Sequence, residues 1–182
     1  MKAVIYCTEI SEQYQNKNME HMYAEKLLEK AIFEEYGLNI SYEPRAAGEY
    51  GKPFFTRRPS IHYNISHSGT YVVCILAEQQ IGIDIQIHKE MNYERMVRRI
   101  VPENMADEIL HSEDRKEKFF EQWVLREAYV KWTGEGLRID MRTIPMESGW
   151  HTLLPFQENY SCAVWSANPQ EIVWKQVDVK LI

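Results

Sequence analysis

From Ile81 to Ile87 the chain reads Ile-Gly-Ile-Asp-Ile-Gln-Ile, an unbroken alternation. Side chains on a strand point to opposite faces in turn, so four isoleucines take one face and Gly82, Asp84 and Gln86 the other. A buried isoleucine face fixes the register, because a slip of one residue would drive Asp84 into the core. The other face presents a carboxylate and an amide, with no side chain at Gly82 to block a ligand. A carboxylate in so apolar a strand is costly without a partner. The plainer alternative is a solvated aspartate on an open sheet face. The run Tyr71–Ala77 is as apolar, and Glu78-Gln79-Gln80 between the two is short, so they are expected to pair as a hairpin.

The remaining elements follow from similar patterns. Lys2–Thr8 reads as a strand. Asn18 is placed to cap a helix running to Tyr36, with Ala24, Leu27, Leu28, Ala31 and Ile32 on its apolar face and Gly37 as its stop. Residues 41–59 read as irregular, His62–Ser66 as a short extended piece, and Gly69 as a turn. Tyr93, Met96, Val97 and Ile100 share a helical face, and Pro102 suits the first turn of the next helix. A long helix is predicted from Glu113 to Trp132, ending at Gly134, and two strands close the chain at Tyr160–Ala167 and Ile172–Leu181. These elements predict an α+β fold of two halves, 1–80 and 81–182, each with helical segments followed by strands. No linker rich in Gly, Ser or Pro separates them, so they are expected to pack together.

Composition narrows the partners. A net charge of -6 over 182 residues argues against nonspecific binding to nucleic acid or to an anionic membrane. Cys7, Cys74 and Cys162 sit in apolar, strand-like contexts at no metal-binding spacing, and are expected to be buried and free. The first residues do not form a signal peptide, and no stretch is long enough to span a bilayer. A cytoplasmic location is expected.

Within the long helix, Phe120, Trp123, Val124, Glu127, Ala128 and Lys131 fall on one face. Glu127 and Lys131 interrupt an apolar stripe. A surface i, i+4 salt bridge would place both on the polar face instead. Lys52, in the stiff Gly51-Lys52-Pro53, suits a phosphate, and Ser66 and His67 lie where a strand gives way to a turn. Singly, these read as a solvated lysine and a structural turn. Together they change meaning. Magnesium commonly takes one or two carboxylates plus substrate phosphates, and Asp84 and Glu127 supply the carboxylates. Lys52, His67 and Lys131 supply groups for phosphates, which suggests chemistry at a diphosphate.

At these residues the chain resembles the phosphopantetheinyl transferases of the surfactin-synthetase-activating type. Three blocks match in order: Gly51-Lys52-Pro53 through Asn64-Ile65-Ser66-His67-Ser68; then Gly82-Ile83-Asp84; then Trp123 to Lys131, followed by Gly134-Glu135-Gly136-Leu137. The resemblance implies a pseudo-dimer of two similar α+β halves with coenzyme A in the cleft between them. It implies Asp84 and Glu127 as ligands of Mg2+, with Mn2+ as the other candidate ion. Lys52 with the backbone of Tyr50 and Gly51 would meet the nucleotide, Ser66 and His67 the coenzyme A phosphates, and Lys131 the pyrophosphate. Lys30 would reach the 3′-phosphate, and Glu103 would help activate the acceptor serine. The acceptor would be an acidic acyl or peptidyl carrier protein, steered by Arg57, Arg58, Arg95, Arg98 and Arg99, and the enzyme would be a monomer. Two departures stand out. Gln86 occupies a position where many members carry a second acid, so its amide oxygen or a water would complete the metal site. Arg126 replaces a commoner lysine, and being next to Glu127 it is expected to point off the site face with little consequence. Two other classes fit parts of the pattern: a magnesium-dependent nuclease, which the acidic chain disfavours, and a non-catalytic coenzyme A-binding module, which Gln86 alone favours. A hydrolase using Ser66 and His67 is disfavoured, because neighbours on a strand point apart.

Overall fold

The computed structural model describes residues 1–11 and 17–182, without the side chains of Lys17 and Leu137. The chain opens with strand β1 (Lys2–Glu9) and helix α1 (Lys17–Tyr36). Short strands β2 (Arg45–Ala47) and β3 (Pro53–Phe55) precede β4 (His62–Ser68), β5 (Tyr71–Ala77) and β6 (Ile81–Ile87). Helices α2 (Tyr93–Ile100), α3 (Glu103–Leu110) and α4 (Arg115–Thr133) follow, and β7 (Trp150–Leu153), β8 (Tyr160–Ser166) and β9 (Glu171–Val177) complete the chain.

The strands form one sheet ordered β4-β5-β1-β9, a second ordered β6-β8-β7, and a small β2-β3 ribbon. Alternation decides how they stack. In β1 and β5, Val4, Tyr6, Val72, Cys74 and Leu76 face α1 and its buried Ala24, Leu27, Leu28, Ala31 and Ile32. The intervening Ala3, Ile5, Cys7, Val73, Ile75 and Ala77 face Ile81, Ile83 and Ile85 of β6 and Cys162 and Val164 of β8. On the other face of β8, Ala163 and Trp165 pack beneath Val124, Leu125, Ala128 and Val130 of α4. The order of layers is therefore helix, sheet, sheet, helix. Burying Ile81, Ile83 and Ile85 contributes about 1.5–3 kcal/mol each, so this face anchors the second sheet on the first.

That stacking corrects the expected hairpin. β5 pairs with β1 and β4, whereas β6 pairs with β8. Gln79 and its neighbours carry the chain from one sheet to the other, and β5 and β6 meet face to face, which strands in one ladder cannot do. The hairpin partner of β5 is β4, joined through Gly69 at φ 59°. The stretch 41–59 is not irregular throughout, since it holds the β2-β3 ribbon, turned at Gly51 with φ 92°. Asn18 lies inside α1 and does not cap it; the residues just before Lys17 lie outside those described. α4 ends as expected at Gly134, whose φ of 76° is the left-handed conformation that closes a helix, with its N–H bonded to Val130 O. β9 returns to pair in parallel with β1, so the first sheet draws a strand from beyond residue 80. All three cysteines are buried and free. Among the described residues no helix is long and apolar enough to cross a membrane.

Candidate active site

The site begins at an unusual seam. β6 uses one edge to pair with β8, and β4 runs along its other edge as a strand of the first sheet. No backbone ladder joins β6 to β4. Instead, alternate β4 side chains accept from alternate β6 amides: Asn64 Oδ1 from Ile83 N (2.9 Å), Ser66 Oγ from Ile85 N (3.2 Å) and Ser68 Oγ from Ile87 N (3.1 Å). Each such bond contributes about 1 kcal/mol net, and leaving a buried amide unmet costs more. The signal was present in the sequence as Asn-x-Ser-x-Ser on one strand face. Reading Ser66 and His67 as the end of a strand at a turn missed it.

Asp84 sits at the middle of this seam. It is buried, because α4 covers the face of β6 that the sequence left open. Gly82 makes the cover possible: a Cβ there would collide with the carbonyl of Ala128 and the amide of Trp132. The missing side chain thus admits the helix backbone and not a ligand, which corrects the expectation for Gly82. Asp84 Oδ1 accepts from Ser66 Oγ (2.8 Å) and from Lys131 Nζ (2.7 Å), so the carboxylate has the partner its burial demands. Lys131 Nζ also lies 3.5 Å from Ile65 O.

Glu127, one turn before Lys131 on α4, is half-buried. Burial, then repulsion from Asp84, push its carboxyl above the usual carboxylate range, and Lys131 only partly offsets them. Its side chain has no hydrogen-bond donor among the described residues. Gln86 lies on the same face of β6, half-buried, its Nε2 donating to Ser68 Oγ (2.9 Å) and Ile87 O (3.2 Å). No cluster of three or more His, Cys, Asp or Glu side chains gathers among the described residues. A cation here would therefore rest on two carboxylates and neutral oxygens. Two half-buried or buried carboxylates that raise each other's energy, one of them without a donor, are a donor set that fits a hard divalent ion.

Lys52 approaches from the ribbon. Its Nζ donates to Ile81 O (3.1 Å) and Trp132 O (2.8 Å), joining the start of β6 to the last turn of α4, where helix carbonyls lack partners of their own. Burial, with no carboxylate beside it among the described residues, lowers its pKa to about 8. A pocket of about 420 Å³ opens beside it, lined in part by Tyr50, Pro53, Phe54, His62 and Gly134. A second, of about 220 Å³, runs from Tyr50, Gly51 and Lys52 past Asn64 to Lys131.

The other expected residues lie apart from this cluster. His67 follows Ser66 on the strand and so turns to the opposite face, exposed, with Nδ1 3.6 Å from Glu20 Oε2 of α1. Lys30 pairs with Glu34 at 2.9 Å and lines a separate pocket with Phe33 and Ile182. Glu103, exposed in the first turn of α3, is paired with Arg98. Arg98 also holds Asp107 (3.0 Å) and Arg58 holds Glu43 (3.3 Å), so two of the five expected steering arginines are already engaged. Arg126 does point off the site face, but it is one of the largest buried side chains in the protein. Its guanidinium donates to Met141 O (3.2 Å), to Gln122 O (3.3 Å) and to the Gln122 side chain, and burial lowers its pKa to about 10. The expectation of little consequence is therefore corrected: Arg126 ties α4 to the loop after it.

Residues 80–175 match the sequence profile of the 4′-phosphopantetheinyl transferase superfamily. The chain is similar to a 4′-phosphopantetheinyl transferase of Bacillus subtilis, with 28% identity covering 79% of this chain and 71% of the relative. It is similar to the 4′-phosphopantetheinyl transferase Sfp of Bacillus subtilis (strain 168), at 33% identity covering 63% of this chain and 52% of the relative. The 4′-phosphopantetheinyl transferase AcpT of Escherichia coli O157:H7 is 27% identical over 67% of this chain and 65% of its own length. The chain thus spans from about half to 71% of these relatives. The matched stretch contains Asp84, Glu127 and Lys131, the residues the fold gathers where α4 covers β6, and the chain belongs to the 4′-phosphopantetheinyl transferase superfamily.

Proposed function

We propose that the protein transfers the 4′-phosphopantetheine group of coenzyme A to a serine of a carrier protein, using Mg2+ held by Asp84 and Glu127. The observation that carries this reading is the buried seam itself: Asp84 bound to Lys131, with Glu127 beside it and short of a donor. Mg2+ bound there would draw charge from the diphosphate, a Lewis-acid contribution of several kcal/mol. Gln86, on the same strand face, would lend its amide oxygen or a water, and Mn2+ has the same ligand preferences.

In the proposed reaction the carrier serine oxygen attacks the β-phosphorus of coenzyme A. A phosphorus–oxygen bond forms as the bond to 3′,5′-ADP breaks. The serine proton passes to a general base, for which Glu127, Glu103 and a water on the ion are the candidates. Lys131 meets the charge that develops on the leaving phosphate. The pocket between Lys52 and Lys131 supports placing the diphosphate along it, with the nucleotide toward Tyr50 and Gly51. The assignments of His67 and Lys30 to coenzyme A phosphates, and of Glu103 to serine activation, rest on family resemblance alone. We further propose that the two helix-on-sheet layers form a pseudo-dimer around a coenzyme A cleft, divided near residue 80, and that the chain acts as a cytoplasmic monomer on an acidic carrier. The three free cysteines support a reducing compartment.

The test is to incubate the protein with coenzyme A, Mg2+ and a panel of apo carrier proteins. Intact mass spectrometry should show one added phosphopantetheine on at least one carrier; no gain on any refutes the proposal.

A further inference from the structure

We infer that Ser66 is a positioning residue for Asp84 and not a contact to the substrate phosphates. The inference rests on the proposed metal-dependent transfer and deepens it. A serine hydroxyl has one proton and two lone pairs. Here the proton goes to Asp84 Oδ1 (2.8 Å) and one lone pair accepts from Ile85 N (3.2 Å). Both bonds grip the same short piece of β6, one at the side chain of Asp84 and the other at the amide that follows it. Asn64 and Ser68 hold β6 by its amides in the same way but reach no carboxylate among the described residues. Ser66 alone of the three both accepts from β6 and donates to it.

The consequence is an oriented carboxylate. Ser66 and Lys131 both occupy Oδ1, arriving from β4 and from α4. Oδ2 accepts no hydrogen bond among the described residues, so its lone pairs are left for a cation. Groups that bond a ligating carboxylate fix its direction and tune its affinity for metal. Turning the hydroxyl toward a phosphate would release Asp84 and strip the Ile85 amide of its acceptor inside a buried seam, since Ser66 is only 4% exposed.

Two measurements test this. In the first, Mn2+ binding is titrated calorimetrically without coenzyme A, and coenzyme A binding is titrated separately. Ser66→Ala should weaken Mn2+ binding about 10-fold or more, the usual effect of removing such a support. Asn64→Ala, which loses one seam bond without touching a carboxylate, should weaken it far less, and Ser66→Thr, which keeps the hydroxyl, should restore it. Coenzyme A affinity should stay nearly constant in Ser66→Ala. Unchanged Mn2+ affinity with weakened coenzyme A binding overturns the inference. The second measurement needs no variant. Amide exchange at Ile85 in the wild-type protein should be as slow or slower with saturating coenzyme A; faster exchange would mean the hydroxyl has left for the ligand, and overturns the inference. Neither readout requires transfer. A wild-type protein that transfers nothing, yet binds Mn2+ with an affinity that falls in Ser66→Ala, sinks the proposed function alone.

Discussion

Gly82→Ala is the smallest change that reaches the centre of the molecule. A Cβ at this position would overlap the Ala128 carbonyl and the Trp132 amide, both backbone atoms of α4. Backbone in a packed helix cannot rotate away as a side-chain end can, so α4 must lift from β6. Overpacking of this kind costs about 1–3 kcal/mol. The same lift draws Lys131 and Glu127 away from Asp84. The Lys131–Asp84 bond is 2.7 Å long, and an extra ~1 Å takes it beyond hydrogen-bond reach. Misplacement on that scale costs a reaction about 100-fold. Urea unfolding should therefore show a loss of about 1–3 kcal/mol at constant m-value. Carrier modification, assayed where the variant is fully folded, should fall about 100-fold. A Gly82→Ala protein as stable and as active as wild type would refute the argument that glycine is there to admit the helix.

Two further perturbations test the structural joints. Lys52 has its folded-state pKa lowered to about 8 by burial, so between that value and the unfolded value of about 10.4 the unfolded chain binds more protons and stability rises with pH. Relative to Lys52→Met, the wild-type protein should gain stability across that window and show no relative change below it; a flat difference between pH 7 and 11 would mean that Lys52 is not buried. Arg126→Ala removes a side chain only 1% exposed and leaves the Met141 carbonyl without its donor, so a loss of about 3 kcal/mol in urea unfolding is expected, and less than about 1 kcal/mol would contradict the placement.

What was legible in the sequence was periodicity. The alternation at 81–87 and the apolar stripes of α1 and α4 each placed a buried face correctly, because those patterns reflect burial directly. Pairing was not legible. β5 is apolar on both faces and β6 on one, and period-two alternation says which residues share a face without saying which strand lies alongside. The β2-β3 ribbon was missed because three residues per strand are too few to carry a period. Within the site, Asp84, Glu127 and Lys131 emerged because charged residues broke apolar patterns. The part Ser66 plays in the seam was not legible, because only the fold brings β4 alongside β6 and turns alternate side chains into substitutes for a backbone ladder. Arg126 was expected to matter little because it leaves the site face, yet α3 and the loop after α4 close over it.

The claim that matters most is that Asp84 and Glu127 together hold the ion on which transfer depends. The most direct measurement compares wild-type protein and Glu127→Gln, side by side, by the intact mass of an apo carrier after incubation with coenzyme A and Mg2+. Glu127→Gln keeps the shape of the side chain and removes its charge. The wild type should add one phosphopantetheine per carrier and the Glu127→Gln protein, folded by circular dichroism, should add none. Equal modification by both proteins would contradict the account.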